Sequence, residues 1–301
     1  MSPSWQARCC TFAIRVLMRR AKWGDDAEAL ALCARRVFGA PNPLQWLRTR
    51  GVRIQRVSHG SVHGEWLSAE RWDRGSILYF HGGGYVAGSP ATHRPITAAL
   101  ARLAGRRVFS LDYRLAPEHR FPAAVDDAVA GYRWLLEQGV APGSMALAGD
   151  SAGGGLVLAT LLRARDEGLP LPACGVCLSP WTDLAGTGES LTLNNGRCAM
   201  FRPQNIAEFA QVYLGPVTPK HPYASPLFAD LHGLPPLLFQ VGSDELLLDD
   251  ARRVHERVLR ALGRSRLEVV DGVFHVWQML DGFLPEARTA LRRAADFMNG
   301  Q

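Results

Sequence analysis

From residue 52 onward, short apolar runs typical of strands alternate with longer segments that have the 3.6-residue period of helices. Helices are predicted near residues 92–104, 122–138, 152–166, 249–262 and 283–299. The first two strands resemble a hairpin, so we predict an α/β fold with a mostly parallel eight-stranded sheet and helices on both faces. The predicted strands are Val52–Val57, Val62–Leu67, Ser76–Phe80, Val108–Leu111, Met145–Gly149, Gly175–Ser179, Leu237–Val241 and Leu267–Val270.

Two stretches depart from this alternation. Ahead of the first strand, large or apolar residues recur on one face of a predicted helix: Trp5, Cys9, Phe12, Val16 and Trp23. A second helical pattern, DDAEALALCARRVFG, ends at Gly39. Residues 181–228 interrupt the rhythm again and are predicted to be an insertion. The sheet domain is therefore expected to comprise residues 51–180 and 229–301.

The composition permits one large domain, since 47% of the 301 residues are hydrophobic. No apolar run reaches the length of a transmembrane helix. Arg8 and Arg15 interrupt the apolar stretch at the N-terminus, and no small-residue cleavage site follows it, which is not typical of a signal peptide. We therefore expect a cytoplasmic protein without stable membrane insertion.

Positive charge is concentrated at the N-terminal end. Residues 1–56 contain 11 Lys and Arg against 3 acidic residues, a surplus of +8, whereas the whole chain carries +6. The remaining residues therefore sum to −2. Because the main body has no excess of positive charge, we expect no nucleic-acid partner.

The six cysteines are expected to be reduced thiols. Cys174 and Cys177 have CxxC spacing, which in other contexts indicates redox or zinc chemistry. They lie in the apolar run ACGVCLSP, and no second Cys or His pair stands nearby. We predict two buried strand cysteines and no metal site.

The segment GDSAG (149–153) lies between a predicted strand and a predicted helix, which is the context in which G-x-S-x-G marks a nucleophilic serine. The flanking glycines permit a sharp turn that leaves Ser151 exposed at the head of the helix. The helix N-terminus and the Ala152 N–H favour negative charge beside it. Ser151 is therefore the predicted nucleophile.

A nucleophilic serine needs a base, and on a fold of this kind the histidine follows the serine in the chain. His255 lies within a predicted helix, while His221 and His232 lie among prolines and glycine in or near the insertion. His275 follows a strand and a turn in VVDGVFHVW, where a strand-end loop can bring it to Ser151. We predict His275 as the base.

The histidine in turn needs an acid that orients it and stabilises its charged form. The strand PLLFQV leads into GSDE (242–245), so Asp244 and Glu245 are both candidates. Asp249 and Asp250 lie just beyond and are predicted to cap the next helix.

Three consecutive glycines follow the third strand in HGGG (81–84), a form that is typical of lipases and esterases. Without Cβ atoms, the backbone can turn the N–H groups of Gly83 and Gly84 toward an ester oxygen, and Ala152 adds a third donor. We predict an oxyanion hole formed by these three residues, with His81 as a loop-fixing residue.

Together these segments resemble the hormone-sensitive lipase family of α/β-hydrolases, in its bacterial esterase branch with a GDSAG motif. The resemblance implies an α/β-hydrolase core, no cofactor, and a helical cap made from residues 1–50 and 181–228. The matching segments are HGGGYVAGS (81–89), DYRLAPEHRFPAAVDD (112–127), GDSAGGGL (149–156), SPWTDL (179–184), GSDELLLDD (242–250) and GVFHVW (272–277).

The resemblance also bears on the acid. Members commonly carry D-P-L-x-D, whose first Asp belongs to the triad. Glu245 keeps the four-residue step to Asp249, whereas the step from Asp244 is five. We therefore favour Glu245 over Asp244, although glutamate departs from the commoner aspartate.

By the same resemblance, the segment YRLAPEHRFP supports the oxyanion loop. We expect Arg114, Glu118 and Asp126 to form a buried polar network there. The N-terminal helix is expected to cover the pocket mouth with its Trp5, Phe12 and Val16 face. The alternative is a basic interfacial helix that lies on anionic lipid.

The motifs and the resemblance predict a carboxylesterase that acts on short-chain acyl esters through an acyl-enzyme intermediate. A lactone hydrolase with the same triad is the nearest alternative. A non-catalytic receptor of the same fold is the other, but the plant gibberellin receptors of that kind lack a working triad histidine. The expected partner is a small-molecule ester, and a homodimer stays open.

Overall fold

The computed structural model describes residues 2–20, 26–39 and 48–301. Over these residues it contains an eight-stranded sheet, and every strand predicted from the sequence is present. The strands are β1 (Val52–His59), β2 (Val62–Ala69), β3 (Ser76–Phe80), β4 (Arg107–Leu111), β5 (Met145–Asp150), β6 (Cys174–Leu178), β7 (Leu237–Gly242) and β8 (Ser265–Val270).

The five helices predicted from residue 92 onward are also present, each within two residues of the predicted bounds. The helices of the described residues are α1 (Trp5–Arg20), α2 (Ala27–Phe38), α3 (Arg94–Ala104), α4 (Ala123–Glu137), α5 (Ala152–Asp166), α6 (Ser190–Leu193), α7 (Pro203–Leu214), α8 (Leu248–Arg260) and α9 (Pro285–Asn299).

The sheet has the strand order β1-β2-β4-β3-β5-β6-β7-β8. The β1–β2 and β2–β4 pairs are antiparallel, and all other pairs are parallel. The predicted fold class, an α/β-hydrolase fold with a mostly parallel sheet, is therefore confirmed.

Both faces of the sheet are buried, which explains why its central strands are apolar throughout rather than alternating. Successive side chains of β3 point to opposite faces. Ile77 and Tyr79 pack in the cluster that holds α3 and α9, while Leu78 and Phe80 pack in the cluster that holds α4, α5 and α8.

The register aligns the carboxyl ends of five parallel strands at one rim. Phe80 pairs with Gly149, Asp150 with Leu178, and Gly242 with Val270. The loops that follow these ends carry HGGG, the serine of GDSAG, SPWTDL, GSDE and the segment around His275. Parallel pairing therefore gathers the predicted chemistry from distant parts of the chain.

Helix α1 packs on the body with a different face from the one we predicted. Its buried side consists of Ala7 with Cys10 and Ile14, packed in a cluster that includes Trp277. Trp5 and Phe12 are 68% and 70% exposed. The prediction that the Trp5 face covers the pocket mouth is therefore wrong, because smaller residues permit closer packing of the helix. Trp23, also predicted for that face, lies outside the described residues.

The segment 181–228 contains the short α6 and the longer α7. The ring of Tyr213 in α7 stacks on Tyr85 with a centroid separation of 3.9 Å. Tyr85 follows the glycines of HGGG directly, so α7 contacts the loop predicted to form the oxyanion hole. The division into cap residues 1–50 and 181–228 and a core stays a prediction.

The predicted polar network of Arg114, Glu118 and Asp126 does not form. Each side chain has its own ionic partner on a different element: Arg114 pairs with Asp127, Glu118 with Arg35, and Asp126 with Arg163. The pair of Glu118 ties α2 to the segment after β4. Arg35 strengthens this connection by donating to the carbonyls of Val86 and Ala116.

The expected helix caps at Asp249 and Asp250 are also wrong. Both residues lie inside the first turn of α8 and accept hydrogen bonds from the 181–228 segment instead. Asp249 accepts from Ser190 N–H at 2.8 Å, and Asp250 accepts from Thr182 N–H at 2.7 Å. These carboxylates therefore hold the insertion on the core.

Cys174 and Cys177 are fully buried in β6, as predicted. Within the described ranges, no cluster of His, Cys, Asp or Glu has an arrangement suited to a metal ion. Nor does any helix in those ranges combine the length and apolarity that crossing a bilayer requires.

Candidate active site

Ser151 occupies a strained turn between β5 and α5. Its φ is +53°, a left-handed value that is uncommon for a residue with a side chain. A Cβ on Gly153 would lie 2.0 Å from the Phe80 carbonyl oxygen, and one on Gly149 would lie 2.4 Å from the Gly153 oxygen. The two glycines of GDSAG are therefore required because backbone passes against both of them.

A chain of hydrogen bonds joins the three predicted groups. The Nε2 atom of His275 lies 2.9 Å from Ser151 Oγ, and its Nδ1 lies 2.6 Å from Glu245 Oε2. Glu245 and His275 are 1% and 4% exposed. In this arrangement the Nδ1–H donates to the carboxylate, so that Nε2 is left to accept the serine proton.

The structure brings Glu245, and not Asp244, to the histidine. Asp244 forms an ion pair with Arg197 at the surface. The other histidines considered above lie elsewhere: His255 contacts Ser265, and His232 pairs with Asp230. The geometric choice between the two neighbouring acids thus agrees with the one favoured from the resemblance.

Ser179 is a buried residue at this site whose role was not predicted from the sequence. Its hydroxyl donates to Glu245 Oε1 at 2.8 Å and accepts from Val276 N–H at 3.2 Å. Gly242 N–H also donates to Oε1, at 2.6 Å. Ser179 therefore connects the acid loop to the residue that follows His275.

The backbone around Ser179 is strained in the same way as at Ser151. Ser179 has φ of +46° and Val276 has φ of +53°. A β-branched residue is a genuine outlier in that region. Such strain persists only where surrounding contacts overdetermine it, and here the Ser179 hydroxyl supplies contacts to both loops. Two sequence signals pointed to Ser179: its position directly after a buried strand, at the rim, and its place at the start of the matching segment SPWTDL.

The glycines of HGGG have the backbone shape that was expected. Gly83 and Gly84 have φ of +121° and +65°. A Cβ on Gly83 would lie 2.1 Å from the Ala87 carbonyl oxygen. Among the described residues, no hydrogen bond uses the N–H of Gly83, Gly84 or Ala152. These three donors are therefore available to a bound oxyanion.

Asp150 anchors the oxyanion loop to the nucleophile turn. Its Oδ1 accepts from Gly82 N–H at 3.1 Å and from the Tyr79 hydroxyl at 2.6 Å. Its Oδ2 lies 3.3 Å from His93 Nε2. All these groups are buried. Asp150, the neighbour of Ser151 in sequence, therefore also positions Gly82, the residue before Gly83.

Burial and charge oppose one another in this anchor. Burial lowers the pKa of His93, but the Asp150 charge and hydrogen bond outweigh it, so that the pKa is raised. Burial raises the pKa of Asp150, but the charge of His93 and the hydrogen bonds from His93 and Tyr79 outweigh burial, so that the pKa is lowered. His81 has a pKa lowered to about 3, by burial first and then by His93. It is therefore neutral, which suits a loop-fixing role.

A cavity of about 410 Å³ opens over Ser151 and His275. Helix α1 contributes Cys10 and Ile14 to its wall, and the 181–228 segment contributes Phe201 and Phe209. The ring of Phe201 also meets the ring of His275 edge-on, with 5.4 Å between centroids. The cavity thus offers an apolar space with few polar groups besides those described, which suits an acyl or alkyl group.

Comparisons with known proteins agree with this geometry. Residues 77–279 match the family described as the α/β hydrolase fold. A solved esterase from the bacterial hormone-sensitive lipase family is 44% identical, with a TM-score of 0.90, covering 100% of this chain and 99% of that one. The chain belongs to the hormone-sensitive lipase family of α/β-hydrolases.

This α/β-hydrolase is also similar to an acetyl-hydrolase of Streptomyces hygroscopicus, at 48% identity over 80% of this chain and 81% of the relative. An esterase of Acinetobacter venetianus is 37% identical over 82% of each chain. The esterase EstE5, solved after a soak in p-nitrophenyl butyrate, is 39% identical with a TM-score of 0.90, covering 99% of this chain and 98% of that one. The hydrolase is therefore an esterase.

Proposed function

We propose that this esterase cleaves short-chain carboxylic esters through an acyl-enzyme intermediate on Ser151. The observation that carries the proposal is the unbroken set of hydrogen bonds from Ser151 through His275 to Glu245, with distances of 2.9 and 2.6 Å. Each member is held by buried neighbours, so little reorganisation is needed when substrate binds.

In the first step, His275 Nε2 takes the proton from Ser151 as its oxygen attacks the ester carbonyl carbon. Glu245 stabilises the imidazolium that results. The tetrahedral intermediate then collapses, the bond to the alkoxy group breaks, and His275 gives its proton to the departing alcohol. Water repeats the same sequence on the acyl-enzyme and releases the acid.

The negative charge of each tetrahedral intermediate requires fixed donors. We assign this role to the N–H groups of Gly83, Gly84 and Ala152. The N-terminus of α5 adds a favourable dipole at the same point. Loss of one comparable donor elsewhere costs about 2.7–4 kcal/mol of transition-state stabilisation, so this is a large part of the expected rate enhancement.

Two observations support a short acyl group. One relative is named an acetyl-hydrolase, and the structure of EstE5 is described as soaked with p-nitrophenyl butyrate. The cavity of about 410 Å³ is lined by Phe201 and Phe209. An open-chain ester with a small acyl group is therefore the proposed substrate, taken without a cofactor.

The test is hydrolysis of p-nitrophenyl esters of increasing acyl length, with a lactone beside them. We expect turnover of acetate and butyrate, and a decline for long chains. Ser151→Ala should lower kcat by about 10⁴-fold or more while the protein stays folded. A fluorophosphonate probe should label Ser151 in the wild-type protein.

A Ser151→Ala protein with most of its activity would overturn the mechanism. Faster hydrolysis of the lactone than of any open-chain ester would show that the substrate is a lactone, with the triad unchanged. Absence of both labelling and turnover would favour the non-catalytic alternative. A cytoplasmic location stays a prediction, and a homodimer stays open.

A further inference from the structure

The outer face of α1, defined by Trp5, Cys9, Phe12 and Val16, is apolar and largely uncovered by the described chain. Trp5 is 68% and Phe12 is 70% exposed, and Cys9 is exposed as well. Scattered exposed apolar residues need no explanation, but two large aromatic rings on one side of one helix form a patch. Such a patch indicates an interaction surface.

The orientation of this face is set by contacts on the opposite side of the helix. Ala7 is fully buried in the cluster with Trp277. The backbone N–H and hydroxyl of Ser4 donate to Glu286 at 2.6 and 2.9 Å. Arg15 donates to the Arg197 carbonyl oxygen at 2.6 Å. The helix is therefore attached at several points along its length, and the aromatic face points away from the body.

This face could be covered by a second copy of the chain or by an anionic membrane, and its charge distinguishes between them. Helix α1 itself carries four arginines, Arg8, Arg15, Arg19 and Arg20, and no acidic residue, and Arg8 is exposed. A symmetric dimer through the outer face would bring two copies of this basic helix together, which like-charge repulsion opposes. Aromatic rings with arginines on one helix are instead the composition that lies on anionic membranes.

The position of α1 also relates this face to the catalytic cavity. Cys10 and Ile14 on its other side line the cavity. Leu17 of α1 and Val37 of α2 line it too, and they are 68% and 41% exposed, as expected of residues at its mouth. A surface that bound the outer face of α1 would therefore lie close to the opening.

We propose that the outer face of α1 docks the enzyme on the surface of anionic phospholipid bilayers. The helix lies along the headgroup region with Trp5 and Phe12 below it, and Arg8 contacts the lipid phosphates. Nothing crosses the bilayer. Docking brings the mouth of the cavity to esters that dissolve in lipid.

The test is sedimentation of the Ser151→Ala protein with vesicles of phosphatidylcholine alone or mixed equally with phosphatidylglycerol. We expect binding to the mixed vesicles that weakens with added salt, and little binding to phosphatidylcholine alone. Trp5→Ser/Phe12→Ser should lower the vesicle affinity about tenfold or more. Arg8→Glu should lower it several-fold.

Two variants control for apolarity and charge. Leu262→Ser removes an apolar side chain that is 92% exposed in the turn after α8, and Arg252→Glu reverses an exposed charge on that helix. Both should bind vesicles like the parent. If the Trp5/Phe12 variant binds as tightly as the parent, or if the controls lose as much affinity, the docking proposal is wrong.

Sedimentation equilibrium tests whether a second copy of the chain covers this face instead. A dimer that is abolished by Trp5→Ser/Phe12→Ser would assign the face to a second copy and overturn lipid docking. The same double substitution in the active enzyme, which keeps Ser151, should leave hydrolysis of dissolved p-nitrophenyl acetate unchanged. Vesicle binding is measured without turnover, so a failure of the proposed esterase mechanism would not affect this result.

Discussion

The two halves of the catalytic rim are held in shape by different means. The nucleophile turn and the oxyanion loop depend on backbone that passes within contact of backbone, so that Gly153 and Gly83 have no room for a Cβ. The acid and histidine loops depend on side chains, above all the Ser179 hydroxyl between Glu245 and Val276. The first kind of constraint specifies residue type locally, whereas the second depends on partners distant in sequence.

Among the substitutions that test this comparison, the largest effect is expected at the acid. Glu245→Gln should lower kcat by about 10³–10⁴-fold, because an amide neither favours the correct tautomer of His275 nor stabilises its imidazolium. Steady-state kinetics on p-nitrophenyl butyrate measure this loss. Asp244→Asn is the matched control, and its activity should stay within about twofold of wild type, since Asp244 is paired with Arg197. A larger loss at Asp244 than at Glu245 would reverse the assignment.

In the half held by backbone, Gly153→Ala should lower kcat about a hundredfold and the free energy of unfolding by about 1–3 kcal/mol. The new Cβ would lie 2.0 Å from the Phe80 oxygen, which outweighs the better helix propensity of alanine. Kinetics and urea unfolding measure the two effects. Gly143→Ala is the control because a Cβ there meets nothing within 4 Å. An active and stable Gly153→Ala protein would contradict the steric account.

In the half held by side chains, Ser179→Gly should lower kcat by about tenfold to a hundredfold and should lower the free energy of unfolding less than Ser179→Ala does. Glycine adopts the φ of +46° freely, so the substitution removes the hydroxyl but relieves strain. Ser179→Ala should show the same loss of kcat and a lower free energy of unfolding than the glycine variant, because both variants lose the hydrogen bonds of the hydroxyl but only glycine relieves the strain. Unchanged turnover in the glycine variant would remove Ser179 from the positioning of Glu245.

The smallest expected effect tests the anchor within the half held by backbone, where Asp150 and His93 hold the oxyanion loop to the nucleophile turn. The pKa of His93 is raised in the folded protein, where burial lowers it less than Asp150 raises it. The protonated imidazole therefore contributes stability that is complete below its ordinary pKa of about 6.5 and is lost as pH rises through the raised value.

His93→Gln should accordingly reduce the free energy of unfolding by about 1–3 kcal/mol near pH 6 and by less near pH 9. Urea unfolding of both proteins at the two pH values measures the difference. A loss that is equal at both pH values would show that His93 acts as a neutral hydrogen-bonding group.

Much of the fold was predictable because strand and helix periods are local properties of the chain. All eight strands were predicted, and α5 has the predicted bounds. The amphipathic N-terminal helix was also predicted, but its inner face was not. Aromatic residues on one side suggested a buried face, whereas small residues on the other side permit the close packing that the structure shows.

Some residues of the candidate site were likewise predictable from the sequence, and others were not. Ser151, Gly83 and Gly84 were recognisable because glycines at fixed spacing record where backbone must pass closely. Ser179 and His93 were not assigned roles, and the position of Phe201 could not be predicted, because a serine, a histidine or a phenylalanine has many uses. Their contacts with Glu245, Asp150 and His275 depend on which loops the parallel register brings together.

By itself, the sequence determined the order of strands and helices, the turn around Ser151, the glycine-rich loop and a short set of candidate bases and acids. Each of these follows from the periodicity of apolar residues, from glycines, which lack a Cβ, or from a motif and the elements around it. All three are properties of residues that are close together in the sequence. Only the tertiary structure decided that Glu245 rather than Asp244 reaches His275, that Ser179 supports it, and which face of α1 is exposed. Those outcomes depend on packing between segments far apart in the chain, where a displacement of one residue turns a side chain from the site to the solvent.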